Sequence, residues 1–528
     1  MESSKFIEQL QNPALYGPDV QVVDLIQTHI SFVALTGKYA YKVKKPVNFG
    51  FLDFSTLEKR KYFCEEELRL NRRLCPDIYL DVLPITQENN TLMLNGKGTI
   101  VEYVLKMKQF PQENILTNLL KQHKINESVI EQICSILVDF YNSEPTSKEV
   151  DSYGKIESVK QNIDENFEQT KPMIDVTIAR ETFERIKNMS SLFLSKKKKV
   201  FDTRIKQGRI HDCHGDLHSG NIVVSDKIFI FDCIEFNKRF RFCDSASDIA
   251  FFAMDLDYLN HPYLSSYLIK TYVEKSKDVG IYDVLNFYKS YRAYVRGKVN
   301  GFMLDDPHID QKNRDKIIET SKKYFDLSEY YASLFSLDLN DKQPPTLFLV
   351  AGLTGTGKST FAQKLAVDYH ASVINTDVVR KELLGIDTFE HHFDPMNKGI
   401  YAPEKSDLTY EKVMERAGVL LKQKKNVVLD ATFGSKKYRN IARDIAQKHD
   451  ARIIFIVCVC GDDLVKKRLE ERLKKKSVSD GRWEIYLNQK KTFESFTSEE
   501  HCIEVDMGQE SYEYCRDIFR QIVKRCSE

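Results

Sequence analysis

Eight residues, Gly352-Leu353-Thr354-Gly355-Thr356-Gly357-Lys358-Ser359, restrict the folds open to this 528-residue chain more than any other stretch. They fit G-x-x-x-x-G-K-[ST], a spacing that works where a strand feeds a glycine loop that opens into a helix. The flanks supply both elements. Leu347-Phe348-Leu349-Val350-Ala351 is an apolar buried-strand run, and Thr360-Phe361-Ala362-Gln363-Lys364-Leu365-Ala366 reads as a helix. The glycines let backbone N–H groups wrap phosphate oxygens, and the start of the helix adds its positive end. Lys358 is expected to reach the β- and γ-phosphates of a nucleotide and Ser359 to ligate Mg²⁺. Gly352, Gly355, Thr356, Gly357 and Thr360 complete the cradle, so ATP and Mg²⁺ are the expected cofactors.

Beyond the loop, strands and helices alternate, as a parallel doubly wound sheet requires. Ser372–Asp377 reads as a strand ending in an acid, with a helix opening at Val378-Val379-Arg380. Asn426–Asp430 is a second strand ending in an acid, and Asp430 is a candidate metal-side carboxylate. Arg452–Cys460 is a third strand, and the helix after it carries Arg468 and Arg472 on one face. Asp377 and Arg380 lie three apart at a strand-to-helix junction, where ligands bind in such sheets. Asp377 is placed to orient an attacking hydroxyl and Arg380 to hold an anionic group. The plainer alternative has Asp377 capping the helix at Val378.

The earlier part of the chain is organised around His214-Gly215-Asp216-Leu217-His218-Ser219-Gly220-Asn221. A run reading as two strands and a turn follows, ending at Asp232. H-x-D-x-x-x-x-N is the spacing of a kinase catalytic loop, in which the Asp accepts a hydroxyl proton and the Asn ligates a metal. By that spacing Asp216 is the base, with Asn221 and Asp232 on the metal. Upstream, Ile30–Leu35, the turn Thr36-Gly37-Lys38 and Tyr39–Lys44 form a predicted hairpin. Alternation puts Ala40, Lys42 and Lys44 on one face. Lys42 is the candidate phosphate lysine, and Lys44 shares its register. From Ser55 to Leu74 a helix is expected, with Ser55 as cap and Glu58 completing the capping box. Phe63, Glu67, Leu70 and Leu74 share a face, so Glu67 is the expected partner of Lys42, with Glu65 and Glu66 as alternatives. No glycine-rich loop precedes the hairpin.

The stretch Cys213–Asn221, with Phe231-Asp232 and Ser247-Asp248-Ile249-Ala250, resembles the aminoglycoside phosphotransferase and choline kinase-like family over roughly residues 20–335. That resemblance implies the same roles for Asp216, Asn221 and Asp232, and makes Asp248 a structural residue below the site. The stretch 345–528 resembles small P-loop kinases such as gluconate, shikimate and polynucleotide 5′-kinases. There the resemblance implies that Asp377 orients the acceptor and that Arg468 and Arg472 clamp phosphates from a lid. The expected fold class is an α+β two-lobed kinase-like domain, residues 1–337, followed by an α/β P-loop domain with a parallel doubly wound sheet, residues 346–528. Pro344-Pro345 ends a linker at 338–345. The arrangement resembles an aminoglycoside phosphotransferase-like domain fused to a P-loop ATP-binding kinase domain, which implies ATP-dependent transfer to hydroxyl groups.

A formal net charge of +1 gives no global pull toward nucleic acid or membrane. Eleven cysteines without C-x-x-C spacing fit a reducing compartment. With no leader pattern and no apolar run long enough for a bilayer, a cytoplasmic location is expected. Small-molecule acceptors are expected, with no membrane and no obligate protein partner. Nucleic acid is disfavoured by the neutral charge, although a local groove leaves it open. Two rival readings stand beside the phosphotransferase: a nucleotide-sensing regulatory ATPase, and a nucleic-acid 5′-hydroxyl kinase in the carboxy-terminal half.

Overall fold

The computed structural model describes residues 3–340, 343–390, 398–472, 478–509 and 512–527. The chain divides into two compact units. The first takes residues up to Glu165 with Lys198–Leu259 and Thr271–Gly280. The second takes Asn166–Lys197, Asn260–Lys270 and Ile281–Glu528.

The first unit opens with an antiparallel sheet of β1 (Asp24–Gln27), β2 (Ser31–Leu35), β3 (Tyr39–Lys44), β4 (Tyr79–Glu88), β5 (Thr91–Leu94) and β6 (Thr99–Lys108). Their order is β1-β2-β3-β6-β4-β5. The expected hairpin is β2–β3, in register from Ser31↔Lys44 to Leu35↔Ala40. Period-two alternation sorts its side chains as expected. Tyr41 and Val43 enter a core with Phe32, Ile85 and Val104, and Lys42 and Lys44 take the opposite face. On that face the helix Leu57–Asn71 presents Glu67. Two details of the helix differ from expectation. Its cap is Thr56, whose hydroxyl accepts from Lys59 N, because Ser55 is bound to Asp53 instead. Its end is Asn71, so Leu74 lies beyond it.

Later in this unit, β7 (Ile210–Asp212) pairs with β10 (Phe242–Asp244), and β8 (Ile222–Val224) pairs with β9 (Ile228–Ile230). The loop 213–221 hangs between these two small ribbons, and the helix Ser245–Tyr258 follows, capped by Asp244. Arg204, buried beside this loop's support, donates to both oxygens of Asp244 and to Asp278.

The second unit is built on a five-stranded parallel sheet: β11 (Thr346–Ala351), β12 (Ser372–Asn375), β13 (Val427–Asp430), β14 (Arg452–Val459) and β15 (Ile503–Asp506). The order β12-β13-β11-β14-β15 places β11 at the centre, with every residue of it buried. Leu347, Leu349, Val427, Leu429 and Phe455 fill one face. From β11 the chain visits β12 and β13 on one side and only then β14 and β15 on the other, so a crevice opens at the carboxyl end of β11, where Gly352 begins.

This unit also holds the helices Leu285–Gly301 and Gln311–Leu337, which the sequence reading assigned to residues 1–337. The expected junction at 338–345, of which 341 and 342 lie outside the described residues, therefore falls inside the second unit. Hydrogen bonds explain the grouping. Tyr330 Oη donates to Asp368 Oδ2 at 2.7 Å and Asn286 Nδ2 donates to the Asp368 carbonyl at 2.8 Å, at the end of the helix that follows the glycine loop. Among the described residues, no helix is long and apolar enough to cross a membrane.

Candidate active sites

In the first unit the loop around Asp216 is shaped by buried acids. The backbone N–H groups of His214 and Gly215 donate to the two oxygens of Asp248 at 2.7 and 3.0 Å. Ser219 donates its N–H and its hydroxyl to Asp255, the former at 2.8 Å. His214 is buried with Nε2 2.9 Å from the Phe231 carbonyl, and burial depresses its basicity. Asn221 Nδ2 reaches both the carbonyl of Asp216 (3.0 Å) and its Oδ2 (3.1 Å), which fixes that carboxylate's orientation. His218 Nε2 stands 3.5 Å from the same oxygen. Its Nδ1 accepts the Gly220 N–H, so a neutral ring carries its proton on Nε2, toward Asp216.

The β8–β9 ribbon brings Asn221 and Asp232 to one end. Ile222 faces Ile230, and Phe231 N–H donates to the Asn221 carbonyl at 3.0 Å. Asp232 follows with φ +63°, a left-handed conformation uncommon for a residue with a Cβ. Its N–H donates to Tyr79 Oη at 3.2 Å. Lys42 Nζ bridges Glu67 Oε1 at 2.8 Å and Asp232 Oδ1 at 2.6 Å. Lys44 Nζ reaches Glu67 Oε2 at 2.7 Å and also Glu235. Both lysines of the register therefore grip Glu67. Glu65 and Glu66 pair elsewhere, with Lys61 and Arg69. Burial opposes ionising Glu67, but the two ammonium groups outweigh it and hold its carboxyl down to about 2. Burial likewise opposes charge on Lys42, and Asp232 and Glu67 reverse that and raise it. Asn221 and Asp232 offer hard oxygen donors from one end of a ribbon. That set suits Mg²⁺, which is commonly held by one or two carboxylates with phosphates and water.

In the second unit the glycine loop is closed on itself. Gly352 has φ +140°, and a Cβ there would lie 2.4 Å from the Cys458 carbonyl, so only glycine fits. Gly355 and Gly357 also have positive φ. Lys358 Nζ and Thr356 Oγ1 each donate to the Leu353 carbonyl at 2.8 Å. The helix Lys358–Asp368 starts directly after, with Thr360 in its first turn. Ser359 lies near enough to the Asp430 carboxylate to lower it, bringing together a hydroxyl and an acid of the kind that hold Mg²⁺ beside phosphates. Burial raises the Asp430 carboxyl against the pull of Lys358, and burial lowers Lys358 against the pull of Asp430 and Asp377.

Asn375, which the sequence reading passed over, is the hinge of this site. Its Oδ1 caps the helix Thr376–Leu383 by accepting from Asp377 N and Val378 N, at 2.9 and 3.1 Å. Asp377 is thus not the cap. Its carboxylate shares a field with Lys358, Asp430 and Arg472. Arg472 is desolvated there, which lowers it although the two acids pull the other way. Arg468 Nη2 donates to the Met507 carbonyl at 2.9 Å, just past the end of β15, where a Cβ on Gly357 would stand 3.1 Å from the Met507 side chain, and its charge also lowers Arg472. Arg380 is buried over the Tyr401 ring, 4.8 Å from its centroid. Among the described residues its Nη1 makes only long contacts, to Ile400 O (3.4 Å), Ser406 Oγ (3.4 Å) and Thr409 Oγ1 (3.5 Å), and its Nε has no partner.

The residues 478–482 lie across the mouth of this site. Lys381 Nζ donates to the Val478 carbonyl at 2.8 Å, and Tyr401 Oη to Asp480 at 3.1 Å. Gly481 passes Thr354 so closely that a Cβ on it would stand 1.8 Å from Thr354 Oγ1.

Residues 347–496 match the family model of an AAA domain, in keeping with the phosphate loop at the head of a parallel sheet. Proteins of Mycobacterium tuberculosis and Mycobacterium bovis, themselves uncharacterised, are 28% identical over 455 residues, which is 86% of this chain and 87% of theirs. Among solved structures, a gluconokinase from Sinorhizobium meliloti is 18% identical with a TM-score of 0.25, covering 35% of this chain and 96% of its own. A choline/ethanolamine kinase family protein from Mesorhizobium loti is 12% identical with a TM-score of 0.37, covering 63% of this chain and 99% of its own.

Proposed function

We propose that this chain is a cytoplasmic bifunctional phosphotransferase, moving the γ-phosphate of ATP to hydroxyl groups of small-molecule acceptors at two separate sites. The observation that carries this is the set carboxylate in the first unit. Asn221 orients Asp216, while Lys42, Glu67 and Asp232 form a connected ion-pair group of the kind that grips ATP phosphates. A nucleotide sensor has no use for an oriented proton acceptor. In transfer, the acceptor oxygen attacks the γ-phosphorus, the bond from that phosphorus to the bridging oxygen of ADP breaks, and the hydroxyl proton passes to Asp216. Mg²⁺, when bound by Asn221 and Asp232, neutralises charge on the phosphates.

In the second unit Lys358 faces the phosphates, Ser359 and Asp430 supply the metal-side oxygens, and Arg472 approaches from the lid side. Asp377 takes the proton or orients the acceptor hydroxyl. A buried guanidinium without an anionic partner is costly. Among the described residues Arg380 is in that position, which favours an acceptor bearing a carboxylate or phosphate. The test is labelled ATP with a sugar-acid panel and a 5′-hydroxyl oligonucleotide over a salt series. Transfer to a small acid with shallow salt dependence is expected. Efficient transfer to the oligonucleotide, falling steeply with salt, would instead identify a nucleic-acid kinase.

A further inference from the structure

The ion pairs above Asp232 form one continuous chain: Asp232–Lys42–Glu67–Lys44–Glu235. Three carboxylates share two ammonium groups, so one negative charge is left over. Four of the five side chains are almost inaccessible, at 14% (Lys42), 0% (Glu67), 1% (Lys44) and 5% (Glu235), whereas Asp232 is 43% exposed. Where the surplus charge rests is decided by how the lysines divide. With Lys44 balanced by Glu235, Lys42 is divided between Glu67 at 2.8 Å and Asp232 at 2.6 Å, and those two share the surplus; of the pair only Asp232 is open to a cation.

Resting on the phosphotransferase reading of this unit, we infer that Glu235 and Lys44 are positioning residues that keep part of the Lys42 charge on Glu67 and so leave part of the surplus negative charge on Asp232 for its metal ion. Neither is assigned by the kinase-loop spacing, which needs only one lysine and one glutamate. Glu235 lies three residues past Asp232, so it also ties the metal-side loop to the helix Leu57–Asn71 through Lys44.

Charge counting makes the inference directional. In Glu235→Gln, two carboxylates face two lysines. Lys44 then rests on Glu67 alone, Lys42 shifts toward Asp232, and no negative charge remains for a cation. In Lys44→Met/Glu235→Gln, Glu67 and Asp232 share Lys42, and the surplus charge returns to Asp232. A purely structural pair would behave otherwise, because removing both partners would be no better than removing one.

The experiment measures ATP binding by calorimetry, with and without Mg²⁺, in full-length protein whose second site is silenced by Lys358→Ala. In Glu235→Gln the Mg²⁺ concentration for half-maximal enhancement of binding is expected to rise at least ~10-fold, the scale of removing an outer partner of a metal ligand. Metal-free ATP binding should change less than about 3-fold, because the phosphates meet Lys42 in either case. The double variant should return to within about 3-fold of the parent. A Glu235→Gln protein that matches the parent, or a double variant as weak as the single, overturns the inference. If Glu235→Gln does not fold, the double variant against the parent decides: parent-like Mg²⁺ dependence supports the inference and weakened dependence overturns it. A parent that shows no Mg²⁺-supported ATP binding sinks the phosphotransferase reading of this unit itself, a distinct failure.

Discussion

Asn375 donates its side-chain amide to Asp430 Oδ2 at 2.6 Å while its side-chain oxygen caps the helix Thr376–Leu383. One residue thus sets both the direction of that helix and the orientation of the acid beside Ser359.

Asn375→Ala is expected to remove the cap and leave Asp430 short of a donor, costing about 1–2 kcal/mol by thermal or denaturant unfolding. Asn375→Asp keeps the cap but sets a second carboxylate against Asp430, whose carboxyl burial already raises. A raised folded-state value means the folded protein holds its proton longer than the unfolded chain. Stability of Asn375→Asp should therefore be greatest at acid pH and fall as pH rises through the carboxylate range. A pH-independent deficit would contradict this.

Asp377→Asn now separates base from cap cleanly, because the cap belongs to Asn375. Turnover at the second site should drop by about 10²–10⁴-fold, while unfolding free energy moves by no more than about 1 kcal/mol from the lost charge at the helix start. Unchanged turnover would remove Asp377 from the mechanism.

In Asp216→Asn, transfer from the first site should fall by a similar ~10²–10⁴-fold with ATP binding retained. Asp232→Asn should weaken the Mg²⁺-dependent part of binding instead. In the Lys358→Ala background, labelled phosphate followed into a metabolite extract reads the first loss, and calorimetric ATP binding with and without Mg²⁺ reads the second.

Glu67 gives the acid limb of stability. Its ordinary value is 4.5 and the lysines hold it down to about 2. A depressed carboxyl contributes stability that is fully present above 4.5 and is lost as pH falls toward 2. Glu67→Gln should flatten the loss between those limits in acid titrations followed by circular dichroism.

A fragment beginning at 343 lacks Tyr330 and Asn286, so Asp368 loses two donors. Residues 343–528 should be less stable than 281–528 by about 3 kcal/mol or more in urea. Equal stability would show that those helices are passengers on the sheet.

What could be read in advance was local in the chain. The loop 352–359 is a spacing code with its strand and helix beside it. Lys42 and Glu67 follow from periods of two and 3.6. The alternative in which Asp377 caps the helix at Val378 stays open in the sequence because Asn375 and Asp377 cap equally well in isolation. The bond from Asn375 to Asp430, which decides between them, spans two neighbouring strands. Arg468 and Arg472 share a helix face, and the Met507 carbonyl that holds Arg468 lies 39 residues further along the chain. Glu235 carried no signal because its partner, Lys44, lies 191 residues away along the chain. The domain boundary was drawn at prolines, whereas compactness follows the hydrogen bonds on Asp368.

The passage of Gly481 against Thr354 also limits how this sequence can drift. Any change of glycine adds at least one carbon, and that carbon has nowhere to go while Thr354 keeps its branch. Position 481 is therefore free to mutate only in a lineage where 354 has first become smaller. Across descendants of this sequence the sizes of the two residues should be inherited as a linked pair, large at one only where the other is small.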